Sequence, residues 1–225
     1  MLLSTHDSSL RYLRFLIMLL RKQILVFFVT LLSLFGFSQQ YQLGFGFTNN
    51  VTSWPVIGYP QLFYTRFHPG IEILLEKKIN NREKNQFWAD ADLGCFYHRF
   101  FQTAVKLSGN IHYRYFFNSR IFSDVSLGGG YLHSFYQYQV FRLNSNGDYV
   151  KESGYKGRPQ FIMGTSIGIG YGLKKSDPDW WRLLVQFRSN MQGIFAGSFV
   201  PVVPYNTFLI GLTHRINFKK NEKVN

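Results

Sequence analysis

Cysteine is almost missing: Cys95 is the single one in 225 residues. That excludes an internal disulfide and any multi-cysteine metal site. Sharing parity with Phe87, Ala91 and Leu93, Cys95 reads as a small apolar filler. Acidic residues are scarce, with 12 Asp and Glu against 25 Lys and Arg, a formal net charge of +13. Helical periodicity is absent beyond Gln39, where no stretch repeats apolar residues every 3.6 positions. The mean hydropathy of −0.09 is far below that of a helical membrane protein of this size. Yet 46% of residues are apolar and 19% aromatic, so the apolar residues must be interleaved with polar ones. Enzyme signatures are lacking as well. No Gly-x-Ser-x-Gly occurs. Gly168-Ile169-Gly170-Tyr171-Gly172 shares only its glycines with a phosphate loop, without a following Lys-Ser/Thr or helix.

What is present is alternation. In Ala104–Phe116, Val105, Leu107, Gly109, Ile111, Tyr113 and Tyr115 share one face, and Lys106, Ser108, Asn110, His112 and Arg114 the other. This is the period-2 pattern of a strand with one apolar and one polar face. The same pattern predicts eight strands, over 41–48, 70–79, 86–97, 104–116, 120–141, 160–173, 180–191 and 205–218. Connections 80–85, 117–119 and 174–179 are short. Connections 49–69, 144–159 and 192–204 are long, and 98–102 is a short member of that second set. An apolar outer face, a charged inner face and aromatic rims are what a strand needs in lipid. Bilayer burial also requires closure, because each unpaired backbone group would cost several kcal/mol. The expected fold is all-β, an eight-stranded antiparallel up-and-down transmembrane β-barrel over 39–218. No second domain, repeat array or low-complexity segment is evident.

Before it, Arg21 and Lys22 precede an apolar run, Ile24–Phe37, that is short for a membrane span. Gly36-Phe37-Ser38 places small residues at −3 and −1 of a cleavage point, so residues 1–38 read as an N-terminal extension and cleavable signal peptide. Met1 and Met18 both remain available as the start. Residues 219–225 form a short basic tail on the periplasmic side.

Inward parity collects Glu72, Glu76, Asp90, Asp92 and Asp124 against Lys106, Arg114, Arg182, Arg188 and Arg215. A narrow bore does not hold unpaired charge, so this balanced set predicts an ion-paired, plugged lumen; a polar path for a small solute is the alternative. The inward glycines of the strand over 160–173 either relieve packing or leave a small cavity. In the external loops, aromatic and basic residues mix: Trp54, Tyr59, Tyr64 and Arg66 in the first, Tyr149, Tyr155, Lys156 and Arg158 in the third. These are the candidate binding residues. No catalytic residue, metal ligand or cofactor site is expected. His133 and Ser134 are strand neighbours on opposite faces and cannot form a dyad. The basic excess raises nucleic acid as a partner, but export argues against it; outer-membrane lipid and lipopolysaccharide fit the compartment.

With the signal over 21–38, the eight alternating segments and a last strand ending in Phe218, the chain resembles the small eight-stranded outer-membrane β-barrel proteins of Gram-negative bacteria. The resemblance implies membrane integration with an envelope-structural or partner-binding role, and an outer-membrane or periplasmic protein as a candidate partner. A lipid A-modifying acyl hydrolase or acyltransferase on the same scaffold is the alternative.

Overall fold

The computed structural model describes residues 40–216, except 81, 138–140, 152–156 and 197–199. The expected export segment, Phe218 and the basic tail lie outside the described residues. Ten strands and one short helix follow in order: β1 (Tyr41–Val51), α1 (Gln61–Tyr64), β2 (Pro69–Lys78), β3 (Asn85–His98), β4 (Gln102–Phe116), β5 (Ile121–Tyr136), β6 (Phe141–Leu143), β7 (Tyr149–Lys151), β8 (Arg158–Gly172), β9 (Trp181–Ala196) and β10 (Val200–Ile216). Eight of them close into one antiparallel barrel, each beside its sequence neighbour in the wall, with β10 returning to β1. The closing seam runs from Tyr41 opposite Ile216 to Val51 opposite Asn206.

Period-2 alternation is realised as wall geometry. On β4, Leu107 and Ile111 are exposed while Lys106, Ser108, His112 and Arg114 are buried. Bulky apolar side chains face outward from every barrel strand, among them Phe47, Ile73, Leu93, Leu127, Ile169, Leu183 and Ile210. Such an exterior is stable against acyl chains, and the aromatics Tyr113, Tyr115, Phe117, Trp180 and Trp181 gather at the end bearing the short turns.

Two expectations change. Residues 144–159 are not one open loop: β6 and β7 pair as a separate hairpin arm. Its tip is built locally. The Asn144 side-chain oxygen accepts the backbone N–H groups of Asn146 and Asp148, and Gly147 takes the positive φ of 88° that the turn requires. Residues 192–204 are mostly strand as well, because β9 continues to Ala196 and β10 begins at Val200. The sequence predicts a long connection over 192–204. However, β10 pairs with β1 only from Asn206 onward, so Pro201 and Pro204 lie where one side of the strand has no neighbour needing their N–H.

The interior is layered. Near the loop end Phe96, Ala104, Leu132, Ile162 and Tyr205 form an apolar cluster, and near the turn end Phe116, Phe122, Leu184 and Leu209 form another. The charged residues lie between them. Inward glycines make room for large neighbours: a Cβ on Gly170 would lie 2.0 Å from the Phe122 ring.

Candidate functional site

The luminal charges form one continuous chain. The Arg114 guanidinium donates to both oxygens of Glu76 (3.0 and 2.6 Å) and, through Nε, to Asp124 Oδ2 at 2.6 Å. Asp124 also meets His112 Nδ1 at 2.9 Å and accepts from Gln186 at 2.9 Å. His112 Nε2 continues to Asp90 at 2.9 Å, and Asn110 bridges Asp90 to Asp92. Lys106 and Arg188 then clamp Glu72, at 2.7 and 2.8 Å, and flank Asp92. Registration explains the first links. Arg114 lies opposite Asp124 across β4–β5, whereas Glu76 sits opposite Asp90 across β2–β3. That like-charged pair requires cations from β4.

Of the ten charges expected in the lumen, eight therefore meet there. Arg182 and Arg215 do not join them. Arg182 pairs with Asp179 and Arg215 with Asp177, both acids of the turn before β9. Arg182 reaches the mouth, where its guanidinium lies over Trp88, Phe116 and Phe122. Trp88 is fully buried, with Arg114 on it as well at 4.8 Å. His112 stands between Asp124 and Asp90, where the five acids have only Lys106, Arg114 and Arg188 as fixed cations. Its inward parity was legible; that it would bridge two carboxylates was not, because parity does not say which side chains meet across the bore.

Open space in the lumen is small. A cavity of about 20 Å³ lies beside Gly128 and Gly164, bounded by Asp92, Lys106, Ser108, Asn110 and Arg188. That suffices for a water, not a solute. The inward glycines of β8 thus do both things: Gly164 borders this pocket and Gly170 makes room for the Phe122 ring.

At the loop end, the β1–β2 loop folds down on the outside of the wall. The Phe63 ring lies 5.6 Å from Phe208, and Tyr59 lies 5.1 Å from Phe187. Ser189 donates to the Tyr59 hydroxyl, and outward-facing Asn206 is satisfied by Ser53 and the Trp54 carbonyl. Tyr59 is therefore half-buried and tied down. Trp54 and Tyr64 remain more than 70% exposed on the same loop. Arg66 and Arg99 both lie over the Phe100 ring, at 5.6 and 5.7 Å. Tyr149 is exposed on the hairpin arm, and Arg158 covers Tyr136. Tyr155 and Lys156 lie outside the described residues.

Composition gave no signal for the pair that closes this loop. His68 and His98 stack face to face inside the mouth, 3.7 Å apart and 6° from parallel. The His68 backbone N–H donates to Asn49, and its carbonyl accepts from Asn50. Neither ring nitrogen of His68 has a hydrogen-bond partner among the described residues. Phe100 lies edge-on to it and carries Arg66 and Arg99 over its own ring. Burial lowers the His68 pKa below the ordinary 6.5. A base with a depressed folded pKa binds its proton more readily in the opened state, so its contribution is complete above pH 6.5 and declines as pH falls below it. The protection factors of the Asn50 and His68 amides should fall between pH 7.5 and 5, exchange slowing less than its intrinsic rate does. His68→Gln should flatten that fall. Equal protection in the wild type at both pH values would refute the role given to the pair.

No protein-family model and no curated protein matches the chain. Solved structures of similar fold include Neisserial surface protein A, at 10% identity over 79% of this chain and 97% of that one, TM-score 0.46. Ail of Yersinia pestis follows at 10%, 79%, 97% and 0.42. The outer membrane enzyme PagL has 10%, 78%, 99% and 0.44. Likeness at this level concerns the path of the chain and decides nothing about activity. The fold stands on the chain's own strand pairing: eight antiparallel strands, up and down, closed on themselves.

Proposed function

We propose that this chain is a non-enzymatic integral barrel of a Gram-negative outer membrane, exported through a cleaved signal peptide. Its lumen is plugged, and it serves an envelope-structural or partner-binding role through its loop end, with an accessory place in a larger outer-membrane complex as one form of that role. The observation that carries the reading is the sealed interior: an ion-paired chain between two apolar layers, with room for about one water beside it. A surface left to do work is then the loop end, where Trp54, Tyr64, Arg66 and Tyr149 are exposed. Lipopolysaccharide or an envelope protein is the partner such a mixed aromatic and basic surface suits.

The alternative, lipid A hydrolysis or acyl transfer, needs an accessible imidazole bonded to a nucleophile; His68, whose ring nitrogens are unpartnered among the described residues, is 4% exposed and bonds no hydroxyl. His112 has both ring nitrogens on carboxylates and is 1% exposed. His133 faces outward and bonds the Tyr131 hydroxyl at 2.7 Å, while Ser134 faces inward to Gln160. Planar-bilayer recording tests the plug: the reconstituted wild type should pass no steady current, and a stable open conductance would sink the reading. Unchanged lipid A masses in cells expressing wild type or His112→Ala and His133→Ala are expected too.

A further inference from the structure

The outer wall carries a feature the plugged lumen does not use. Across β5, β8 and β9 the lipid-facing side chains leave a hollow of about 640 Å³, lined by Phe117, Ile167, Ile169, Tyr171, Leu183 and Val185. It exists because outward-facing Ser123 on β5 is small where its neighbours on that face, Ile121 and Val125, are large. Ile167 to Tyr171 spans about 13 Å along β8, and three strands make the strip about 10 Å wide. The shape suits one extended hydrocarbon chain, whereas a helix with its side chains is about 10–12 Å thick and would stand proud of it.

A cation stands at its turn end. Arg120 Nε donates to the Gly172 carbonyl at 2.9 Å and Nη2 to the Leu173 carbonyl at 3.1 Å. Its guanidinium lies 4.4 Å from the centre of the Tyr171 ring, which lines the hollow. Three of its five N–H groups remain for another acceptor. Arg182 and Arg215 at the same end are neutralised by Asp179 and Asp177. Arg120 pairs with no carboxylate among the described residues, and exposed Lys174 and Lys175 sit in the adjoining turn. An apolar hollow ending in a fixed, acid-free guanidinium is complementary to a molecule with a long hydrocarbon tail and an anionic head.

We propose that this strip binds an anionic phospholipid of the leaflet at the turn end, its acyl chain in the hollow and its phosphate on Arg120. The proposal rests on the membrane-barrel reading above and adds a defined lipid site to it. Backbone bonds and ring stacking hold the guanidinium in place before the lipid arrives, which reduces the ordering cost of binding.

Native mass spectrometry of the full chain, released from detergent after incubation with equal amounts of phosphatidylglycerol, phosphatidylcholine and lipid A, tests it. A retained phosphatidylglycerol adduct is expected. Arg120→Glu should lower its occupancy roughly tenfold, by lost attraction and added repulsion. Ser123→Phe, which fills the hollow and leaves every charge in place, should lower it as well. Heat-modifiable gel migration verifies that both variants are folded. Equal retention of phosphatidylcholine, preference for lipid A, or wild-type retention in both folded variants would overturn the site. Failure of the wild type to insert into bilayers of any composition would overturn the barrel reading itself, and the site with it.

Discussion

Replacing Arg114 by leucine should lower the unfolding free energy of the barrel by roughly 3–5 kcal/mol, the usual consequence of stripping one partner from a buried ion pair. The reason is what remains. Glu76 and Asp124 are both about 1% exposed or less, and this guanidinium donates three of their hydrogen bonds, two to Glu76 and one to Asp124. Leucine restores none of the three, and the two carboxylates, on β2 and β5, then share an apolar-capped bore without the cation between them. The intact pair need not be strongly stabilising for this to hold, because the effect lies in orphaning charge rather than in the bond itself. Arg114→Leu combined with Glu76→Gln should recover part of the loss, because one of the two stranded charges is gone. Urea titration of the protein folded into lipid vesicles measures all three. A drop of less than about 1 kcal/mol for the single variant would mean that water reaches the network and screens it.

An arginine at Ile111 should cost roughly 2–4 kcal/mol, the penalty for a cation near the middle of a bilayer on the outer face of a barrel. Ile111 is 62% exposed and lies midway along β4, opposite Leu127 on the same face. In water, the same substitution at so exposed a position would shift stability by no more than about 0.5 kcal/mol. The size of the effect therefore distinguishes lipid from solvent around the wall. Leu173→Arg, just past the end of β8 in the turn region, provides the reference: there the penalty should fall to about 0–1 kcal/mol. Similar small values at both sites, measured in the same vesicles, would remove the bilayer from the picture.

Alternation was sufficient to place the strands. Lys106, His112 and Arg114 alternate with Leu107, Ile111 and Tyr113, and the wall reproduces that division residue by residue. Ends were less legible than middles. Strand β5 stops at Tyr136 rather than 141, and β9 and β10 run into the stretch 192–204 expected as a connection. A proline excludes a ladder hydrogen bond only where a neighbouring strand asks for one, and the number of neighbours is not a local property.

The composition of the lumen followed a similar divide. Glu72, Asp92, Lys106 and Arg188 were identifiable as inward, yet Arg188 and Glu72 are 116 residues apart and meet only because the barrel closes. Arg182 and Arg215 have the same parity and are drawn off to turn acids by their height in the wall. Trp88, Phe116 and Phe122 also face inward, in strands whose charges drew attention, and they cap the ionic layer.

What the sequence determined by itself is side-chain direction: a two-residue period fixes which face each residue takes, whatever the chain does next. What the tertiary structure decided is height and partnership. Strand stagger and closure set which inward residues share a layer, and so which acid finds Arg114, why His112 stands between two carboxylates, and where small Ser123 leaves the outer wall hollow beside Arg120.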